Sequence, residues 1–174
     1  HIRHAADAGV EAVLRVMDGQ APVGVPTGIG GLDDVLGGLE PGRLYVVAGR
    51  PGMGKSAFMQ EIAIRLAARE GKTVAAFLLE MTSQEFATRC VISELGISGS
   101  RLRVGSVTGD EVVQMIGVRD WVGGLPIHLF DRADVSIEEI SATARKLHRR
   151  TQDTANPLGL VAIDYLQLVR CEIG

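Results

Sequence analysis

The sequence has little from which to build a metal or disulfide framework. Its two cysteines, Cys90 and Cys171, lie far apart and fit no metal-ligand spacing. The four histidines are scattered as well, so a structural zinc is not expected. A chain tied by neither device fits a reducing, cytoplasmic setting. Aromatic residues make up only 4% of the chain, too few to display a stacking platform for single strands. A net positive charge is missing too. The formal charge is −3, which argues against a basic surface that coats duplex nucleic acid. No apolar run approaches the roughly 20 residues of a membrane-spanning helix. No basic-then-apolar leader opens the chain. Residue 1 is His rather than Met, so the gene product is expected to begin elsewhere.

What is present is enough for one globular domain. The chain has 174 residues, 46% of them apolar, which allows one sizeable core. Arg3 to Met17 carries Ala6, Val10, Val13, Leu14 and Met17 at helical spacing. It reads as an amphipathic helix that packs within its own chain or on a neighbouring subunit. The Gly/Pro-rich stretch from Asp18 to Gly28 cannot continue it. Residues 1–23 thus read as a linker helix and hinge, and residues 24–174 as the main domain.

From Leu44 onward strands and helices alternate. Leu44-Tyr45-Val46-Val47-Ala48 is expected to be a buried strand. Ser56 to Glu70 reads as a helix ended by Gly71, and Thr73 to Leu79 as a second buried strand. Thr82 with Glu85, Thr108 with Glu111 and Ser136 with Glu139 are three capping boxes, each opening a helix. Ile127–Phe130 and Leu160–Ile163 complete the strands. The expected fold class is α/β, a mainly parallel sheet with helices on both faces.

Gly49-Arg50-Pro51-Gly52-Met53-Gly54-Lys55-Ser56 satisfies G-x-x-x-x-G-K-[ST] between a strand and a helix. Glycines let successive N–H groups curl around phosphates, and the helix start adds unpaired N–H groups and a positive dipole end. Lys55 would place a charge on the outer phosphates, and Ser56 would offer an oxygen to Mg²⁺. Two acids follow apolar strands at their carboxyl ends, where ligands sit in open parallel sheets. Asp164 is expected to hold the Mg²⁺ shell. Glu80 is expected to orient and polarise water against the terminal phosphate of ATP.

Further residues of chemical interest read as structure. Cys90 is taken as a small helix-core residue, and Trp121 and Phe130 as core. Arg145-Lys146 and His148-Arg149-Arg150 read as a solvated helix end, where cations complement the dipole. Arg101 and Arg103 read as surface residues flanking Leu102 in a loop. Arg50 leans over the phosphates or projects from an exposed loop.

The ordered set of segments resembles the RecA-like ATPase domain of bacterial replicative DNA helicases, the DnaB family. The segments are Gly24-Val25-Pro26-Thr27-Gly28, Leu32-Asp33 with Gly37-Gly38-Leu39, the P-loop, Leu79-Glu80-Met81, and Ile163-Asp164-Tyr165-Leu166-Gln167-Leu168. The last two look like that family's catalytic glutamate motif and Walker B segment. The resemblance implies a RecA-like P-loop NTPase fold and an ATP- and Mg²⁺-dependent motor. It implies a homo-hexamer that moves on single-stranded DNA and unwinds duplex at the replication fork, with primase and a helicase loader as further partners. The first helix would correspond to the family's linker helix on the adjacent subunit. The resemblance also implies a strand between the Asp164 strand and the P-loop strand. That strand, a polar phosphate sensor, DNA-binding loops and an arginine finger would lie beyond Gly174. A finger contributes about 10³–10⁵ in turnover, so the chain alone is expected to be a weak ATPase. Other readings are a RecA-like ATPase of recombinase or clock type, and a truncated nucleotide-binding subunit without helicase activity.

Overall fold

A computed structural model describes residues 2–18 and 24–170. Its contacts divide the chain into two compact units, His1–Val47 and Ala48–Gly174. Residues 19–23, in the middle of the expected hinge, and Cys171 lie outside the described residues.

In the first unit, α1 spans Ile2–Met17. Val10, Val13, Leu14 and Met17 of its apolar stripe are all exposed. Beyond the hinge, Val25 and Leu39 form an antiparallel bridge with N–H···O distances of 2.9 and 2.8 Å. The two backbones meet so closely that a Cβ on Gly24 would lie 2.5 Å from the Gly38 carbonyl carbon. Only glycine permits that approach. Between them lies the short helix α2, Gly30–Leu36, which periodicity does not reveal. Asp33 in this helix accepts from the Thr27 N–H at 2.8 Å, the Thr27 hydroxyl at 2.7 Å and the Gly28 N–H at 3.0 Å. Burial by itself would raise the Asp33 carboxyl, but these three donors hold it below its ordinary value. Thr27 is fully buried. The Gly24–Gly28, Leu32–Asp33 and Gly37–Leu39 segments are therefore one physical object, a polar clamp closed by a backbone crossing.

The second unit is an α/β sandwich. Its elements are α3 (Lys55–Arg69), β1 (Thr73–Leu78), α4 (Ser83–Glu94), α5 (Gly99–Arg103), α6 (Gly109–Gly123), β2 (Ile127–Phe130), α7 (Ile137–Thr151) and β3 (Leu158–Asp164). A 3-10 turn follows at Leu166–Leu168. The strands pair in parallel in the order β2-β1-β3. The central strand β1 is buried along its whole length. Its alternate side chains serve two layers. Ala75 and Phe77 pack with Val135, Ile140 and Leu147 on the α7 side. The opposite face of the sheet is left to α3, whose Leu66 is fully buried. Burying a residue such as Leu66 or Leu78 contributes about 1.5–3 kcal/mol. All three expected capping boxes are formed, and Cys90 is a buried helix residue whose thiol burial pushes up to about 12.

Three expectations are corrected. Leu44–Ala48 forms no strand and is exposed throughout, with Leu44 at 87% and Val46 at 72%. A strand requires a hydrogen-bonding neighbour as well as apolar side chains. Among the described residues no strand pairs with this run. Arg101 and Arg103 lie in the helix α5 rather than in a loop. Arg101 is fixed there by Glu111, which accepts from the two terminal guanidinium nitrogens at 2.8 and 3.0 Å. Trp121 is 43% exposed rather than core, because it projects at the rim of a cleft between α3, α4 and α6. Phe130 is half-buried and stacks on Phe77 with ring centroids 4.8 Å apart.

Candidate active site

The P-loop meets the sheet through α3. At its carboxyl end, α3 turns at Gly71 directly into β1, with the Lys72 N–H donating to the Leu66 carbonyl. The helix then runs back across the sheet. Its 15 residues span roughly 22 Å, and the six residues of β1 span roughly 20 Å. The amino end of α3, with Lys55 and Ser56, is therefore level with the carboxyl ends of the strands.

The loop in front of α3 turns through positive φ at Gly52 (78°) and Gly54 (84°), a region that side chains disfavour. Gly54 is the N-cap and supplies no side-chain acceptor. The first intrahelical bond is Phe58 N–H to the Gly54 carbonyl, 2.9 Å. The amides of Lys55, Ser56 and Ala57 precede it and lack intrahelical acceptors. That is the donor set an anion takes at a helix start. Lys55 and Ser56 are half-buried, whereas Gly49, Arg50, Pro51, Gly52, Met53 and Gly54 are exposed. The Lys55 ammonium donates to the Arg50 carbonyl at 3.3 Å, so its charge rests over the loop. Arg50 is exposed like the rest of the loop.

The two acids come from neighbouring strands. Asp164 ends β3 in register with Leu78 of β1. The Leu79 N–H donates to the Asp164 carbonyl at 2.8 Å, and Glu80 follows at once, exposed. Asp164 is 5% exposed, and its Oδ2 is buried without a hydrogen-bond partner. A buried carboxylate oxygen left unpaired is costly, and a hydrated cation at this edge would satisfy it. Among the described residues no three His, Cys, Asp or Glu side chains cluster as metal ligands. A divalent ion would then draw its remaining oxygens from Ser56, phosphate and water, as Mg²⁺ with a nucleotide does.

One residue of this edge escapes the reading of the sequence. Asp131 directly follows Phe130, the last residue of β2, and accepts from the Ser83 N–H at 2.8 Å. The signal that selected Glu80 and Asp164, an acid just beyond a strand's carboxyl end, applies to it equally.

The family described as DnaB-like helicase C terminal domain matches residues 24–173. The replicative DNA helicase DnaB of Synechocystis sp. is 38% identical over 146 residues, covering 84% of this chain and 16% of that protein. The replicative DNA helicase DnaB of Geobacillus stearothermophilus is 32% identical over 158 residues, covering 91% of this chain and 34% of that protein. The chain thus spans about a third or less of these curated relatives. Two solved structures share the fold, each at 24% identity. One, described as an ATPase domain, superposes with a TM-score of 0.81 over 95% of this chain and 58% of its own. A DnaB-like replicative helicase, described with its interactions with primase, gives 0.83 over 94% of this chain and 39% of its own.

Proposed function

This chain belongs to the DnaB-like helicase C-terminal domain family, and from that premise we propose that it is the nucleotide-driven motor domain of a replicative DNA helicase. Residues 24–174 would form the ATPase domain, with residues 1–23 as linker helix and hinge. The observation that carries the proposal is the shared edge. The P-loop helix starts where β1 and β3 end, and the Leu79–Asp164 hydrogen bond joins those two strands beside Glu80.

In this reading the exposed amides at the start of α3 and the glycine-rich loop cradle the phosphates of ATP. Lys55 swings from the Arg50 carbonyl to the outer phosphates and neutralises charge that builds in the transition state. Ser56 and Asp164 would hold Mg²⁺, which when bound would neutralise charge on the phosphates. Glu80 accepts a proton from the attacking water and holds that water in line. The exposed apolar stripe of α1 supports its role as a linker helix seated on an adjacent subunit, and hence assembly into a homo-hexamer. Single-stranded DNA at the fork, primase and a loader follow as partners. Family membership favours this reading over a recombinase or clock-type ATPase.

The full-length protein should displace a strand from forked DNA when given ATP and Mg²⁺. Its Glu80→Gln variant should displace none while still binding the fork. Displacement by Glu80→Gln at the wild-type rate would remove the motor role of this site.

A further inference from the structure

The loop that carries Glu80 is pinned on both sides. It runs from Leu79 to Thr82, between β1 and α4. On one side the Leu79 N–H donates to Asp164 at the end of β3. On the other, the Ser83 N–H donates to the carboxylate of Asp131 at 2.8 Å. Phe77 pairs with Phe130, so Asp131 lies one step beyond that pair, level with Leu78. Asp164 is level with Leu78 from the other neighbouring strand. The end of β1, with Glu80 just past it, is thus flanked by two aspartates from the two outer strands.

Asp131 does not serve as an ordinary helix cap. The caps of α4, α6 and α7 are local, each using a glutamate three residues into its own helix. α4 already has its complete box, Thr82 with Glu85. The Asp131 bond instead crosses 48 positions of sequence. What it adds is a tether from β2 to the first residue beyond the Glu80 loop. The Ser83 backbone and side chain hold the Asp131 carboxyl below its ordinary value, so it accepts as a carboxylate at neutral pH.

We infer that Asp131 is a positioning residue for Glu80, fixing the loop that aims the Glu80 carboxylate at the attacking water. This rests on the reading of Glu80 given above. A misplacement of about 1 Å in such a group can cost about a hundredfold in rate.

The test is steady-state ATP turnover by the full-length protein, together with nucleotide affinity. Asp131→Ala should lower kcat about ten- to a hundredfold and leave nucleotide affinity within about twofold. Asp131→Asn should keep most of the rate, because its amide oxygen accepts the same N–H. Adding Asp131→Ala to Glu80→Gln should cost nothing further, since the two act through one group. Three outcomes would overturn the inference alone: a wild-type kcat in Asp131→Ala, an Asn variant as slow as Ala, or an additional loss on the Glu80→Gln background. Wild-type turnover in Glu80→Gln would instead remove the Glu80 reading, and this inference with it.

Discussion

Two apolar runs of the chain, Leu44–Ala48 and Thr73–Leu78, are alike in composition and opposite in fate. The second is the central strand, paired on both sides and buried throughout. The first has no strand partner among the described residues and is exposed throughout. Apolar character sets how strongly a segment favours burial. Pairing decides whether a strand forms, because each N–H and C=O must find a partner. The site inherits this contrast. Asp164 ends a paired strand and Glu80 lies two residues past another, while the P-loop owes its placement to α3, which packs on the sheet.

That contrast can be tested through stability. Leu78→Ala, in the paired run, should destabilise by about 2–5 kcal/mol. Val46→Ala, in the unpaired run, should stay within about 0.5 kcal/mol. Urea unfolding of the two variants checks this, and equal losses would erase the distinction. A smaller effect concerns a region held by charge rather than burial. α5 is a short helix without buried residues, yet Arg101 ties it to Glu111. Hydrogen bonds from Arg101, then from Thr108, lower the Glu111 carboxyl from its ordinary 4.5 to about 2. A depressed carboxyl adds stability that is whole above its unfolded value and lost as pH falls through the folded one. The clamp should therefore weaken between about pH 4.5 and about 2. A carboxyl NMR titration should place Glu111 near 2 and return it toward 4.5 in Arg101→Ala; a midpoint near 4.5 in the parent would discount the clamp.

Much of the fold was legible because its signals are local. The three capping boxes, the helix from Ser56 and the strands at Thr73, Ile127 and Leu160 are written in adjacent residues. α2 and α5 were not, being too short for periodicity to register. The exposure of Leu44–Ala48 and Trp121 depends on what lies beside them, which no local pattern records. In the site, the P-loop motif and the acids after β1 and β3 were visible from spacing. Their meeting at one edge follows from register. Asp131 carried the same signal as Glu80, but its partner, Ser83, is distant in sequence, and only the folded chain brings the two together.

The central claim is that binding and turnover reside in different residues of one edge. Titrating a fluorescent ATP analogue with Mg²⁺ into wild type, Lys55→Ala and Glu80→Gln tests it most directly. Lys55→Ala should lose about a hundredfold or more in affinity, in keeping with a charge-assisted phosphate contact in a partly dry site. Glu80→Gln should bind within about twofold of wild type, as a group acting only in the transition state does. Equal affinities for wild type and Lys55→Ala would contradict the account.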